Sequence, residues 1–444
     1  MVFLASRRIE TPMHWNFKLI LTAAWVAAGT AIYLVLPQSL PFLLPLTAVA
    51  PLLWSRREGL ARRLWARSLL ARLLAAASAY LLIHAIWSSA SIFVFACVAT
   101  LFVAGTMVHI VVITAPLIAR APLHAMAVGF YATYVVCALL ASVEIIFDNP
   151  LHLYVHNTFP KLSFDLADAV VEAGVIKGFA DFFLNKHIAA LTFLIWPAYL
   201  VATRLGASGR SRAVLMACLT PAAVAILASA HETSKVALVG GAIVLSFHML
   251  APRLVAPLLA VAWAIACLAP APIAAVAYDH GLQHARWLPQ SARHRIVIWS
   301  ATSTQITEAP ILGHGMGSAR DLGRRTKERP MYAPGTSFRL TPGPHAHNAY
   351  LQVWLETGAV GAVLLLGIGL WAVGAASRVS ADSRPALYAA FASNALLAAS
   401  SFSIWASWFL ASFAFSAMFA VLAWSFVTSA ERAAHDVAPP RAQA

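Results

Sequence analysis

Charge is scarce in this chain. Only 11% of its 444 residues are Asp, Glu, Lys or Arg, where an ordinary soluble domain has about 25%. Hydrophobic residues make up 61%, and the mean hydropathy is +0.75. This balance excludes a water-soluble globular protein. Cysteine is sparse too. Cys97, Cys137, Cys218 and Cys267 all lie inside apolar runs, as small packing residues do, which excludes a disulfide framework and a zinc site. The apolar runs lack the apolar–polar alternation of a membrane barrel, so a closed β-barrel is excluded. There is no internal repeat, and no low-complexity segment apart from an Ala/Pro-rich tail after about Ser429.

What is present is a series of continuous apolar runs, and about 20 such residues cross a bilayer. They predict an all-α polytopic membrane protein with about twelve transmembrane helices. The runs lie near 17–36, 39–54, 69–87, 90–115, 125–147, 188–204, 213–230, 235–251, 254–278, 349–376, 386–402 and 404–426. Arg7 and Arg8 before the first run resemble the start of a signal peptide, but the run is long and many follow, so it reads as a retained helix. Residues 1–278 then hold nine helices, with an external segment near 148–187. Residues 279–346 form a basic external loop, 347–428 hold helices ten to twelve, and 429–444 form a cytoplasmic tail. The short connectors fix the orientation. Arg56, Arg57, Arg62, Arg63, Arg67 and Arg72 fall on one side together with Arg204, Arg210, Arg212, Arg253, Arg378, Arg384 and Arg432. That side is cytoplasmic by the positive-inside rule, with both termini inside.

The segment 279–346 breaks this economy of charge. It carries Arg286, Arg293, Arg295, Arg320, Arg324, Arg325, Lys327, Arg329 and Arg339 against Asp279, Glu308, Asp321 and Glu328. Topology does not account for cations on the external side, and a basic external cavity implies an anionic partner. Where this segment meets the next apolar run stands His347. Pro342, Gly343 and Pro344 hold the preceding chain out of helix, and Asn348 is placed to cap the helix that follows. A helix N-terminus and nearby arginines both disfavour imidazolium, so His347 is expected neutral and able to accept a proton from a sugar hydroxyl. An interfacial histidine that only bonds the backbone is the plainer alternative, and His345 competes for the role.

Upstream, Ser291 reads as the N-cap of a helix running to about Glu308. Arg295 and Trp299, four apart, share a face of it. A guanidinium on a structured helix suits bidentate phosphate binding, although a snorkelling arginine has the same pattern. Arg293 lies beside it. Gly313-His314-Gly315-Met316-Gly317 offers backbone N–H groups that could approach a phosphate, or a plain turn. Between runs seven and eight, His231-Glu232-Thr233-Ser234-Lys235 is a polar connector, with Lys235 placed to face a headgroup phosphate. Asp165, Asp168 and Glu172 have amphipathic helix spacing and read as the solvated face of an interfacial helix, not as a metal cluster. No Asp-x-Asp pair occurs in the external segments, which argues against a metal-dependent glycosyltransferase.

Together these residues resemble the O-antigen ligase family of the O-antigen ligase/polymerase superfamily. His347-Asn348, Leu351, Glu356, Gly358 and Gly361 are similar to its hallmark run. Arg295 with Trp299, then Pro310-Ile311-Leu312-Gly313-x-Gly315-x-Gly317, resembles the segment that precedes it. Ser234-Lys235 falls where members often have Ser-Arg-Gly. The resemblance covers His231 to Gly361. It implies a GT-C-like, metal-independent inverting glycosyltransferase without a cofactor, in a bacterial inner membrane with its site on the periplasmic face. The implied donor is a glycan on undecaprenyl diphosphate, and for a ligase the acceptor is the lipid A-core. By the same resemblance His347 is catalytic, Arg295 and Lys235 hold the diphosphate, and Arg293, His345, Trp299, Gly315 and Glu356 are additional candidates. Two departures weaken the clamp: Lys235 offers a point charge instead of a fork, and Val236 replaces the usual glycine. An O-antigen polymerase shares this chemistry. A protein O-oligosaccharyltransferase usually has a further C-terminal region, while here the chain stops about twenty residues after the last run. A lipid-linked sugar transporter is expected to have paired halves and broken midplane helices.

Overall fold

In lipid a backbone must satisfy its own hydrogen bonds, and the apolar runs do so as helices. The computed structural model describes residues 15–55, 68–88, 91–159, 168–172, 175–206, 208–328 and 331–436. Arg56, Arg57, Arg62, Arg63 and Arg67, which carried part of the orientation argument, lie outside the described residues, as do Arg7, Arg8, Asp165 and Arg329.

The helices are α1 (Phe17–Val35), α2 (Leu40–Trp54), α3 (Leu69–His84), α4 (Ser91–Thr114), α5 (Arg120–Ile146), α6 (Pro150–Thr158), α7 (Asn185–Leu205), α8 (Gly209–Ala217), α9 (Thr220–Ala228), α10 (Glu232–Leu250), α11 (Pro252–Leu268), α12 (Pro270–Asp279), α13 (Gln290–Glu308), α14 (Ser318–Glu328), α15 (Ala349–Ser377), α16 (Arg384–Ser400) and α17 (Ser407–Asp436). This is a multi-pass helical membrane protein. Among the described residues eight helices are long and apolar enough to cross a bilayer. A ninth span results if α11 and α12, bent by 74° at a break before Pro270, are counted together. The expected spans at 39–54, 69–87 and 386–402 are helices of 15, 16 and 17 residues. Prolines at 37 and 41 and at 385 mark two of their starts, and the polar ends of all three shorten the apolar stretch.

The core forms where aromatic rings interlock. Tyr33 of α1 meets Phe415 of α17 at 4.8 Å between centroids, and Phe130 of α5 stacks on Phe419 at 4.3 Å. α7 and α17 are the central helices, while α4 and α15 turn most of their surface outward. α10 packs along α16, and α11 along α15.

Three expectations need correction. Ala169–Glu172 and Val175–Phe179 form an antiparallel hairpin, β1 and β2, where a helix was expected at Asp165–Glu172. The β-branched Val170, Val171, Val175 and Ile176 favour strand over helix. The basic segment 279–346 holds more regular structure than the one helix expected in it. It holds α13, α14 and a small turn in which Leu340 N–H donates to the Met331 carbonyl at 2.8 Å. The expected tail from 429 begins as helix, since α17 continues to Asp436, and residues 437–444 lie outside the described residues.

Candidate functional site

Three interruptions of the helices meet at one end of the fold: the connector before α10, the chain leading into α15, and the connector between α16 and α17. Each is polar in an otherwise apolar chain. α13 brings Arg295 to the same place. It starts one residue before Ser291, with Pro289 in the cap position and no side-chain cap, so Ser291 lies inside the helix and is not its N-cap.

His347 is built in by its backbone first. Its φ is 51°, in the left-handed region that a residue with a side chain seldom adopts. The strain is held in place on both sides. The His347 backbone N–H donates to His345 Nδ1 at 3.2 Å, and the next residue, Asn348, caps α15 by accepting from Leu351 N–H at 3.0 Å. The ring is then fixed by Nδ1, which lies 3.1 Å from the Ser401 carbonyl. A carbonyl only accepts, so this bond requires the proton on Nδ1. In the neutral ring Nε2 then keeps its lone pair. His345 has the opposite tautomer, because its Nδ1 accepts and its proton must sit on Nε2. The two rings are 3.9 Å apart between centroids.

Electrostatics keep these rings neutral. Burial, then the Arg295 charge, pushes His347 down to about 4, with the Ser401 bond opposing. The helix end invoked from the sequence is not the leading cause. Burial, then His347, Arg320 and Arg295, pushes His345 down to about 3. His231, buried before α10, is pushed to about 3 by burial and then Arg295. Arg295 itself is lowered by burial, which the Glu232 carboxylate opposes. One guanidinium is thus felt by every histidine around it, and Glu232 is the carboxylate that opposes it.

The partners of Arg295 and Lys235 differ. Arg295 Nη1 donates to Ser400 Oγ at 3.2 Å. Lys235 Nζ is 2.8 Å from Glu232 Oε1, one turn earlier on α10, in a partly exposed pair. Glu232 therefore stands as a carboxylate beside both cations.

The other candidates sort differently. Arg293 is two residues from Arg295, off the shared face, and its Nε is buried without a hydrogen-bond partner. Trp299 packs with Ile306, Ala319, Ala346, Leu351 and Leu355, fastening α13 to α15. The Gly-x-Gly-x-Gly run is neither a phosphate cradle nor a simple turn. α15 breaks at Gly358, where φ is 62° and ψ is −161°, and the run fills that break. His314 and Gly315 N–H donate to the Leu355 and Glu356 carbonyls at 2.9 and 3.1 Å, and Ala359 N–H donates back to Pro310 at 2.9 Å. A Cβ on Gly313 would sit 2.5 Å from the Glu356 backbone, and one on Gly358 only 2.3 Å from the Ile311 carbonyl. Irregular backbone at a span is tolerated only when protein satisfies it in this way. Glu356, 1% exposed, completes the joint by accepting from Gly317 N–H at 2.9 Å and from Gln352 Nε2 at 3.3 Å. Gly315 and Glu356 thus hold the scaffold beneath the site.

Sequence reasoning missed Ser400, Ser401 and Glu232, and gave His231 no role. The available signal was the run Ser400-Ser401-Phe402-Ser403, three serines where two apolar runs meet. Among the described residues no group of three or more His, Cys, Asp or Glu could hold a metal ion.

Residues 214–366 match the model of a family described as O-Antigen ligase, a range that contains His231, Lys235, Arg295, the glycine run and His347. A provisionally named polysaccharide ligase of Rickettsia felis is 25% identical over 236 residues, covering 53% of this chain and 56% of that protein. Similar ligases of Rickettsia conorii and Rickettsia typhi are 32% and 31% identical over 123 and 124 residues, 28% of this chain and 29% and 30% of theirs. The chain thus spans about half the length, or less, of the curated relatives it matches.

Proposed function

Taking residues 214–366 as a domain of the O-antigen ligase family, we propose that the chain is an O-antigen ligase. It moves a glycan from undecaprenyl diphosphate to a sugar of the lipid A-core, on the periplasmic face of an inner membrane. The observation that carries this reading is the His347–Ser401 bond, which leaves the Nε2 lone pair open on a ring that the Arg295 charge reaches. In the proposed step an acceptor hydroxyl gives its proton to His347 Nε2 while its oxygen attacks the anomeric carbon from the face opposite the diphosphate. The bond from that carbon to the diphosphate oxygen breaks, and undecaprenyl diphosphate leaves with the electron pair. Arg295 and Lys235 stabilise its charge, and fixed cations in a site of low dielectric do so strongly. One displacement inverts the anomeric configuration. The proton on His347 returns to water.

A ring held near 4 is a weak base in the empty site. The bound diphosphate is an anion beside it, and an opposite charge favours imidazolium. Donor binding therefore strengthens the base when it is needed, and without donor His347 stays neutral.

Complementation of a ligase-deficient host tests the reading, with a lipopolysaccharide ladder on a gel as the readout. Wild type should restore the ladder. His347→Ala, at equal expression, should leave bare core and accumulate lipid-linked polymer, since loss of a general base costs about 10²–10⁴ in rate. If wild type leaves bare core yet restores long chains in a polymerase-deficient host, the protein is a polymerase. A ladder restored equally by His347→Ala removes that residue from the chemistry.

A further inference from the structure

We propose that Ser400 and Ser401, anchored by His231 and Thr233, are the positioning element of this site. They aim the Arg295 guanidinium and fix the His347 tautomer. The inference rests on the reading of His347 as base and Arg295 as diphosphate clamp.

The dipeptide stands where α16 ends. Ser401 leaves helical geometry, with φ −123° and ψ −120°. Its carbonyl is thereby freed from the helix ladder, and it accepts from His347 Nδ1. Ser400 is used twice. Its hydroxyl accepts from Arg295 at 3.2 Å, and its carbonyl accepts from Thr233 Oγ1 at 2.6 Å. Ser401 Oγ lies 3.2 Å from His231 Nε2, and His231 Nδ1 lies 2.7 Å from Ser234 Oγ. Two adjacent residues thus tie α10, α13 and the start of α15 together, and both groups assigned to the chemistry hang from them.

The anchors of the element are shielded from water, while Ser400 itself is half-buried. His231 is 4% exposed, Ser401 3% and Thr233 4%, and His231 stacks on Phe402 at 5.6 Å. A buried polar network that is fully paired resists rearrangement, since each group it lost would be left unsatisfied. Two residues further on, Gln352 locks the same connector to α15. Its Nε2 donates to Ser403 Oγ at 3.0 Å, and its Oε1 accepts from Ile404 N–H at 3.3 Å. Ser400 and Ser401 act on the reaction only through Arg295 and His347, so they are positioning residues.

The tautomer is the direct readout. In the full chain labelled with ¹⁵N-histidine in lipid nanodiscs at pH 7, nitrogen NMR separates protonated from unprotonated ring nitrogens. The His347 signals are those lost in His347→Gln. The wild type should have a protonated Nδ1 and a bare Nε2, and His231→Ala, which unties Ser401, should mix the tautomers. A wild-type His347 protonated on Nε2 overturns the proposal, whether or not the protein transfers glycan and whether or not His231→Ala folds. Kinetics give the second arm. Ser400→Ala should lower kcat about tenfold, the worth of a hydrogen bond to a charged group, with little change in donor KM and with rescue by Ser400→Thr. In an Arg295→Gln background the same substitution should have almost no further effect. A full, additive loss in that background means Ser400 acts through general stability, and the proposal falls. Failure of the ligase reading looks different: the wild type transfers nothing to lipid A-core while the NMR still reports the Nδ1 tautomer.

Discussion

Two groups of histidines stand near helix ends in this molecule, and the partners of their ring nitrogens separate them. Around Arg295 stand His231, His345 and His347, each of which feels its charge. Between α5 and α7 stand His152, His156 and His187, beside the buried Glu144. There the carboxylate accepts from Leu151 N–H and from His152 Nδ1, each at 3.0 Å. His187 Nε2 donates to the Val35 carbonyl at 2.9 Å, and the His152 ring meets Phe183 edge-on at 5.0 Å. A histidine given a carboxylate is committed as a donor and becomes a staple between helices. A histidine kept among cations stays neutral, and if one nitrogen is tied to a carbonyl the other remains a base. Both groups read alike in a residue count, and it is the Glu144 contact of His152 against the Ser401 carbonyl contact of His347 that tells these two apart.

Removing the cation tests that difference most severely. Arg295→Gln should lower transfer about a hundredfold, the usual cost of losing one preorganised charge-stabilising group. It should also move the pH profile. The active form of His347 is unprotonated, and its depressed pKa keeps it so as pH falls through the ordinary histidine range. In the wild type kcat/KM should therefore hold through pH 6 and fall only as pH drops toward about 4. Without Arg295 the pKa rises, and the acid limb should shift to higher pH. The limb of kcat should lie above that of kcat/KM even in the wild type, because it reports the complex with bound diphosphate. An acid limb that ignores Arg295→Gln would mean that burial alone sets the base.

Lys235 should matter less. Its charge is already engaged by Glu232, and partly exposed pairs of this kind contribute little. Lys235→Ala should raise donor KM by only about three- to tenfold, the range expected from losing one exposed point-charge contact. Glu232→Gln should lower donor KM, since it frees Lys235 and removes a competing anion. Steady-state kinetics on donor concentration check both. A Lys235→Ala loss as large as that of Arg295→Gln would place the two cations on an equal footing.

The sequence made the candidate site's residues legible more readily than the mechanics that hold them. His347, Arg295 and the cap at Asn348 could be found because titratable and capping residues stand out in an apolar chain. The role of the glycine run could not, since the partner that explains Gly313 is the Gly358 break, some 45 residues away in the sequence. Glu356 was a candidate through its place in the run that resembles the family's, and the structure uses its oxygens to close that break. Ser400 and Ser401 were hidden for a simpler reason. Serine is common in membrane helices, and only a fold places two of them between Arg295 and His347. The hairpin at 169–179 was missed because helix spacing of three acids was weighed above the β-branched residues among them.

The smallest effect expected is the most informative about the second histidine group. Glu144→Gln keeps shape and one acceptor oxygen but puts an NH₂ where the carboxylate accepted a second donor. Leu151 N–H cannot change its role. His152 can, because a neutral imidazole moves its proton to Nε2 and then accepts the new amide on Nδ1. The substitution should therefore lower stability by only about 1 kcal/mol, the low end for disturbing a buried hydrogen bond, seen as a modest fall in Tm. Glycan transfer and its pH profile should be unchanged. His152→Ala cannot adjust in this way. It leaves the Glu144 carboxylate buried with one partner fewer, so its Tm should fall further while transfer is still retained. Loss of transfer in either variant, at equal expression, would mean that the carboxylate-bound His152 serves the reaction, and the division between it and His347 would not hold.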